Sequence, residues 1–502
     1  MPPTNAHYLT TLVLCLFTLS LQAQAPAFFE TIHGSPAYTE KNLAVRQLPD
    51  GSIYAAGTAI PGILGGADFT LSKYSPNGVL LWTKYLGNTL NDQCSYMIVT
   101  NDGSLLLVGD TENPAGDTDG LLIKTDTSGN VLFTSRTPAS GLTESLAFVQ
   151  QTQPDNGFIT IGMVSDTLGG AVGNNCYLVK FSEQGEVLWQ QNYGGMHNDV
   201  AYMVRQTADG GLVFTGDTQS FNDNNNVDIW VVKTNAEGVM LWDLVIGDEW
   251  ANGIKSLMVT AQNDFFLTGE TVIDETGYFD IVLARVSQSG QLVWYKTWGI
   301  PASTEAAFSA LQTADNGFLI TGYSNLYRPG YPIKLLLLKT DDQGNEMGVT
   351  YFGGTSINLG YDIQPAVYGN YLIGGFTFVG PDSQFFLIYT NEPAPTATPP
   401  LHSALPFEVK LAPYSGTNSA APTLLLTVPQ AGNLHLHFYN LYGQQLTAGL
   451  PQTHYLPHAG NHQIPLLLPP GATNGLYFCE LRFTDTQGKT YAATQKIMVG
   501  LR

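Results

Sequence analysis

The chain has 502 residues, of which 44% are hydrophobic and only 12% charged, with 41 acidic against 20 basic side chains and a formal net charge of −21. That balance excludes nucleic acid and anionic membrane surfaces as partners, because either needs a basic patch to displace counterions. The many Gly, Asn, Asp and Thr residues, and the absence of long helical patterns, point to strands joined by turns.

At the N-terminus, residues 8–21 (YLTTLVLCLFTLSL) form an apolar and hydroxylated run followed by the small residues Ala23 and Ala25. This predicts a secretory signal peptide over residues 1–25, although its leading segment carries only the amino terminus and His7 as basic groups. Cys15 follows Leu12, Val13 and Leu14, not the small residues that precede a lipid-modified cysteine. No later segment is long and apolar enough to span a membrane. Cleavage leaves Cys94, Cys176 and Cys479, too scattered for a disulfide framework and expected to be free, buried thiols.

From residue 26 to 391 one glycine recurs, at Gly57, Gly109, Gly162, Gly216, Gly269, Gly322 and Gly375, spaced by 52, 53, 54, 53, 53 and 53 residues. A period near fifty with an apolar run before each glycine signals a β-propeller of seven blades. The fourth period shows the unit as AYMVRQTA (201–208), GLVFTG (211–216), DIWVVKT (228–234) and GVMLWDLVIG (238–247). Asp209-Gly210-Gly211 and Asn235-Ala236-Glu237-Gly238 supply the turns between them.

The last strand of each unit carries Gly-x-x-x-Trp, from Gly78 to Trp82, Gly185 to Trp189, Gly238 to Trp242 and Gly290 to Trp294. Phe133 takes the aromatic place in the second period, and Gly348 leaves it empty in the sixth. The pattern predicts an aromatic wedge between neighbouring blades. The seventh period runs into the proline-rich EPAPTATPP (392–400) without a fourth strand, so PAFFETIHG (26–34) is expected to complete it, burying Phe28, Phe29 and Ile32 at about 1.5–3 kcal/mol each.

Variable segments 58–67, 111–118, 164–174, 218–227 and 324–333 fall on one face, where binding usually resides. Counting back from the reference glycines places Glu40, Asp92, Glu144, Asp199, Asn252, Glu305 and Asn358 around the mouth on that face. Such oxygens either collar a polar ligand or cation, or cap the turn into their own blade. Asp68, Asp119, Asp228 and Asp280 recur before the third strand as further caps, and Lys334 breaks that row. Asp223 and Asn225 are the weak candidates for a metal, calcium being the only cofactor with a foothold, though an EF-hand's spaced ligands and distal Glu are missing. Trp250, Tyr327, Arg328 and Tyr331 stand outside the repeat and are candidates for stacking on a sugar or a partner protein.

Catalytic signatures are absent: there is no Gly-x-Ser-x-Gly elbow, phosphate loop or His-Glu-x-x-His pair. Six of the nine histidines follow residue 400, including His435, His437, His454, His458 and His462, where Pro451, Pro457 and Gly460 forbid a regular helix and favour a polar loop. Sialidase-like propellers place the aromatic three residues after the glycine of their Asp-box, one fewer than here. Quinoprotein dehydrogenases share the Gly-x-x-x-Trp spacing but carry an adjacent cysteine pair that this chain lacks.

After a linker at 392–404, residues 405–502 alternate strand runs with turns and predict an immunoglobulin-like sandwich. FYNLYGQQL, GLYFCELRF and the terminal QKIMV resemble the type A C-terminal sorting domain of the bacterial type IX secretion system. Tyr439, Asn440, Gly443 and Gln444 match its central strand and turn, Gly475 and Tyr477 its penultimate hairpin, and Lys496 its last strand. Ala412-Pro413-Tyr414 stands where that family opens on Pro-Asn-Pro. The resemblance implies that the type IX machinery carries the protein through the periplasm to the cell surface or medium. The propeller repeats similarly resemble secreted propellers fused to this signal. The expectation is a non-catalytic binding or scaffold module for an extracellular glycan or protein, with an extracellular carbohydrate-active enzyme as the alternative.

Overall fold

The computed structural model describes residues 29–34, 39–60, 63–138, 141–166, 173–221, 226–247, 250–272, 277–300, 303–325, 333–353, 356–379, 382–393, 408–411, 423–428, 431–439, 452–456, 458–465, 475–485 and 490–499. Up to residue 390 these form seven four-stranded antiparallel sheets, the repeated unit of a β-propeller. Six take their strands in chain order. The seventh is built from Asn358–Pro365, Tyr371–Val379 and Asp382–Thr390, with Phe29–His33 along its outer edge.

The recurring glycine has a steric cause. The first strands, Thr39–Gln47, Asp92–Val99, Glu144–Gln151, Asp199–Gln206, Asn252–Val259, Glu305–Gln312 and Asn358–Pro365, each carry one β-bulge. The bulge presses a carbonyl of the first strand onto the facing glycine of the second. A Cβ added at Gly109, Gly162, Gly216, Gly269, Gly322 or Gly375 would sit 1.8–2.1 Å from that oxygen, well inside contact distance. Only glycine tolerates that approach, so the motif marks the bulge.

The aromatic wedge has a direction. Each ring lies over the positive-φ glycine of the following sheet's last turn: Trp82 over Gly129, Phe133 over Gly185, Trp189 over Gly238, Trp242 over Gly290, Trp294 over Gly344, and Phe29 over Gly78. The exception at Gly348 follows from the same rule. Its ring would reach forward to the corresponding turn of the seventh sheet, which does not exist because that sheet's outer strand comes from the other end of the chain.

Ring closure rests on the same first-strand chemistry. Asp362 of the seventh sheet accepts from the Val45 backbone N–H of the first at 2.9 Å and pairs with Arg46. Ser383 Oγ donates to the Glu40 carbonyl, and the Val367 N–H donates to Gln47 Oε1. The glutamine clamp recurs around the ring, with Gln151, Gln206 and Gln312 each accepting from a backbone N–H of the preceding sheet.

The outer strand of the seventh sheet is anchored less by apolar burial than the sequence suggests. Phe29 stacks on Tyr389, with ring centroids 5.7 Å apart, while Ile32 is 47% exposed and Phe28 lies outside the described residues. Alternation explains the correction: Phe29, Thr31 and His33 share one face of the strand, and Ile32 falls on the other. His33 supplies the second anchor, lying 3.2 Å from the Gly78 carbonyl and tilting against Tyr74.

The tight turns after the first strands hold a repeated ion pair. Lys124, Lys180, Lys233 and Lys339, all buried, reach Asp102, Asp155, Asp209 and Asp315 at 2.7–3.2 Å. At Asp315 partial burial favours the neutral acid, but hydrogen bonds from Lys339, Thr313 and the Gly317 N–H outweigh it and hold the carboxyl at about 2. A carboxyl depressed in the folded state stabilises above its ordinary value of 3.8 and loses that contribution as pH falls towards 2. The melting temperature of Asp315→Asn should therefore fall less steeply than that of the parent between pH 4 and pH 2. Parallel profiles would show that the pair contributes nothing through this proton.

From residue 408 on, the described strands form two further sheets. Glu408–Leu411, Thr423–Val428 and Gly460–Pro465 make a three-stranded one, and Gln452–Leu456, Gly432–Tyr439, Gly475–Asp485 and Thr490–Val499 a four-stranded one. His454 and His462 thus lie on strands rather than in the expected polar loop.

Candidate functional site

The seven oxygen-bearing positions at the start of the first strands are all buried. They bond chiefly to groups of the turns and strands beside them. Asp199 accepts from Thr218, from Ser220 Oγ at 2.6 Å and from the Gly195 N–H at 2.8 Å. Glu305 accepts from Ser303, from Ser324 Oγ and from the Ile300 N–H. Asp92 accepts from the Asn88 N–H. Asn252 Oδ1 accepts from Thr271 and Tyr295, and Asn252 Nδ2 donates to the Trp250 carbonyl. Asn358 Nδ2 donates to the Ser356 carbonyl, while Glu40 packs against Gly34 and Glu144 is buried at the corresponding place. The geometry is that of turn caps.

Asp68 likewise caps the Leu64 N–H, Asp119 meets Asn113, and Asp228 and Asp280 pack against Gly247 and Gly299. Lys334 serves the same junction in reverse by donating to the Gly353 carbonyl. Trp250 is half-buried; Tyr327, Arg328, Tyr331, Asp223 and Asn225 lie outside the described residues. Among the described residues no three His, Cys, Asp or Glu side chains are placed to hold a metal ion, and no helix is long and apolar enough to cross a membrane. Cys94 and Cys176 are free and buried, and burial pushes both thiols up. Of the sorting-motif positions, Tyr439, Gly475, Tyr477 and Lys496 fall on three adjacent strands, with Tyr439 opposite Phe478 and Phe478 opposite Lys496; Asn440, Gly443 and Gln444 lie outside the described residues.

A different set of residues converges on the axis of the ring. The bulge leaves one residue of each first strand out of the ladder: Leu43, Ser95, Ala147, Tyr202, Lys255, Phe308 and Tyr361. The first strands are the innermost, packing against one another from sheet to sheet, so these half-buried side chains open towards the axis. Small residues occupy the second and third sheets and bulky ones the fourth to seventh.

Charged groups join them at the residue after the reference glycine. Tyr202 donates to Asp217 Oδ2 at 3.0 Å, and Lys255 approaches the same carboxylate at 3.8 Å while lying 4.1 Å from the centre of the Tyr202 ring. Glu270 and Asp217 flank Gly253, both within 4 Å of the point a Cβ there would occupy. Burial raises both acids, with Lys255 opposing the shift. Asp110, which accepts from Ser145 Oγ, is also raised by burial. Next to the acids stands an aromatic wall in which Phe308 and Tyr361 stack at 4.3 Å, with Phe376 beyond and Tyr323 beside.

Past the bulge, one residue along at Tyr96, Phe148 and Asp362 and three along at Arg46 and Arg205, the axis holds a second layer. Arg46 pairs with Asp362 and lies 4.7 Å from the Tyr96 ring centre, the Tyr96 ring tilts against Phe148 with centroids 4.3 Å apart, and Arg205 covers Phe148 at 4.3 Å. Groups from the first, second, third, fourth and seventh sheets meet here, which only an axial position permits.

Chemically, the outer layer offers two acids that hold protons more tightly than usual, a cation between them and flat apolar faces: a site for a polar ligand with one hydrophobic side. The sequence contained its signal. Fourteen residues before each reference glycine, or fifteen in the third period, stands the bulge residue, and one residue after it stands Thr58, Asp110, Met163, Asp217, Glu270, Tyr323 or Phe376.

The sequence matches no family model and no curated protein. Among solved structures, the extracellular domain of the hybrid two-component system BT4673 from B. thetaiotaomicron is similar over 95% of this chain and 60% of that one, at 10% identity and a TM-score of 0.42. Puromycin hydrolase is similar over 78% of this chain and 58% of that one, at 13% identity and a TM-score of 0.44. The β-propeller domain of the Trilobed protease from Pyrococcus furiosus is similar over 73% of this chain and 98% of that one, at 8% identity and a TM-score of 0.40. The chain thus spans about three-fifths of the first of these proteins, and its propeller character rests on its own repeated sheets.

Proposed function

We propose that the seven sheets are the blades of one closed seven-bladed propeller, that residues 1–25 are a signal peptide, and that 405–502 form a sorting sandwich behind a linker at 392–404. On this reading the protein is exported through the type IX machinery to the cell surface or medium. There it binds a polar ligand with an apolar face, a glycan by that chemistry, at the axial mouth. The observation that supports binding there is the meeting of Tyr202, Asp217, Lys255 and Glu270 with the stacked Phe308 and Tyr361. Stacking of a sugar on such rings contributes through the apolar area it buries, about 25 cal/mol per Å².

The alternative, a carbohydrate-active enzyme, draws on the burial that raises the pKa of Asp217 and Glu270, since a glycosidase needs one protonated and one ionised carboxyl. One set of experiments separates these readings. The purified mature chain, applied to a glycan array with and without calcium, should retain a ligand, and Tyr361→Ala should lose it. Retention without turnover supports the binding module, turnover abolished in Glu270→Gln supports the enzyme, and no retention removes the mouth as a site. Export is tested by deleting 405–502, which should leave the protein in the periplasm; normal surface display would refute it.

A further inference from the structure

The inner axial layer contains more positive charge than its own residues neutralise. Arg46 and Arg205 stand at equivalent positions of the first and fourth sheets and act on each other electrostatically. One carboxylate, Asp362, serves the layer, and its oxygens are taken by Arg46, the Val45 N–H and Gln364 Nε2. Arg205 forms no ion pair among the described residues. Its acceptors there are the Val204 carbonyl at 3.3 Å and the Tyr96 hydroxyl, both neutral, with the Phe148 face beneath it. A guanidinium has five N–H donors in a planar fork that fits two oxygens of one anion. Burial, with Arg46 adding to it, lowers the pKa of Arg205 despite the opposing Tyr96 and Asp362, as expected for a cation short of counter-charge. The side chain is largely but not wholly closed off from solvent.

We propose that Arg205, with Tyr96 and the edge of Arg46, forms an anion site on the axis of the ring that takes a small planar carboxylate in a bidentate grip. This site is separate from the outer mouth and does not depend on what binds there. Two features favour a carboxylate over a bulkier tetrahedral anion: the Phe148 face fixes the plane of the fork, and the Tyr96 ring narrows the space beside it. An acidic group on a longer ligand and a free organic acid share this chemistry.

Thermal unfolding of the full mature chain, titrated with sodium acetate against sodium chloride at matched ionic strength and pH 7, tests the site. Acetate should raise the melting temperature in a saturable way, and sodium phosphate should do so less. Arg205→Gln should abolish the acetate-specific rise, while Arg205→Lys, which keeps the charge but not the fork, should retain under a tenth of the affinity. If Arg205→Gln fails to fold, the parent's acetate-against-chloride difference and the Arg205→Lys response still decide. Equal effects of acetate and chloride on the parent, or an unchanged acetate response in Arg205→Gln, would overturn the proposal. Glucuronate and acetate as parallel ligands distinguish the sources: tighter binding of the sugar acid assigns the anion to a longer ligand, and equal binding assigns it to a free acid.

Discussion

A chain beginning at residue 35, lacking the Phe29–His33 strand, should fail to close its ring and melt far below the parent. The deletion strips five residues of ladder from Asp382–Thr390, leaves Gly78 without the ring of Phe29, and exposes Tyr389 and Tyr74. Full burial of a Phe is worth about 1.5–3 kcal/mol; Phe29 is half-buried and contributes a part of that, against the 5–15 kcal/mol that typically separates folded from unfolded states. The exposed edge is also a template for pairing with a second chain, so soluble oligomers should accompany the loss. A melting temperature within a degree or two of the parent would show that the strand decorates the seventh sheet rather than closing it. His33 adds a pH signature. Burial lowers its pKa, so the folded ring holds it neutral, and the unfolded chain takes up a proton first as pH falls through 6.5. Closure should therefore weaken below that value, and His33→Gln should remove this step from the profile.

The second large effect is expected at the Arg46 and Asp362 pair. Asp362 is almost fully buried and also receives the Val45 N–H, so the pair joins the first and last sheets from the inside. Arg46→Met leaves that carboxylate without its cation, which typically costs 3–5 kcal/mol. Asp362→Asn keeps an acceptor for Val45 but leaves Arg46 and Arg205 without a counter-charge, and should cost a comparable amount. The double variant should be less destabilised than the sum of the two, and urea denaturation of all four proteins gives the coupling. A loss below about 1 kcal/mol for Arg46→Met would place the pair with exposed ion pairs, which contribute little.

The repeat was readable because its determinants are local. A bulge that forces glycine and a turn that forces positive φ both leave a residue type at a fixed position, and both recur in every period. The axial site was not readable in the same way, because its positions are fixed by the repeat while their residues differ from sheet to sheet. Nothing in a single period says that Arg46 will meet Asp362, or that Glu270 will lie near Tyr361. The oxygen-bearing row illustrates the converse. Glu40, Asp92 and their equivalents were visible by counting, but only the hydroxyls and amides that bury them, such as Thr218 and Ser324, reveal that they act as caps. The misjudged burial of Ile32 needed no structure at all, since residues three apart on a strand face opposite ways.

The origin of the seventh sheet's outer strand also sets an order of events. Phe29 pairs with Tyr389 and His33 with Phe385, so the strand nearest the N-terminus among the described residues must wait for the last strand of the seventh sheet before it has a ladder partner. Loop closure over such a length is slow, and until it happens the array has two open ends. A chain made N-terminus first can therefore form the six sheets of consecutive strands as they appear, but the seventh stays one strand short and the ring open until residue 390 is available.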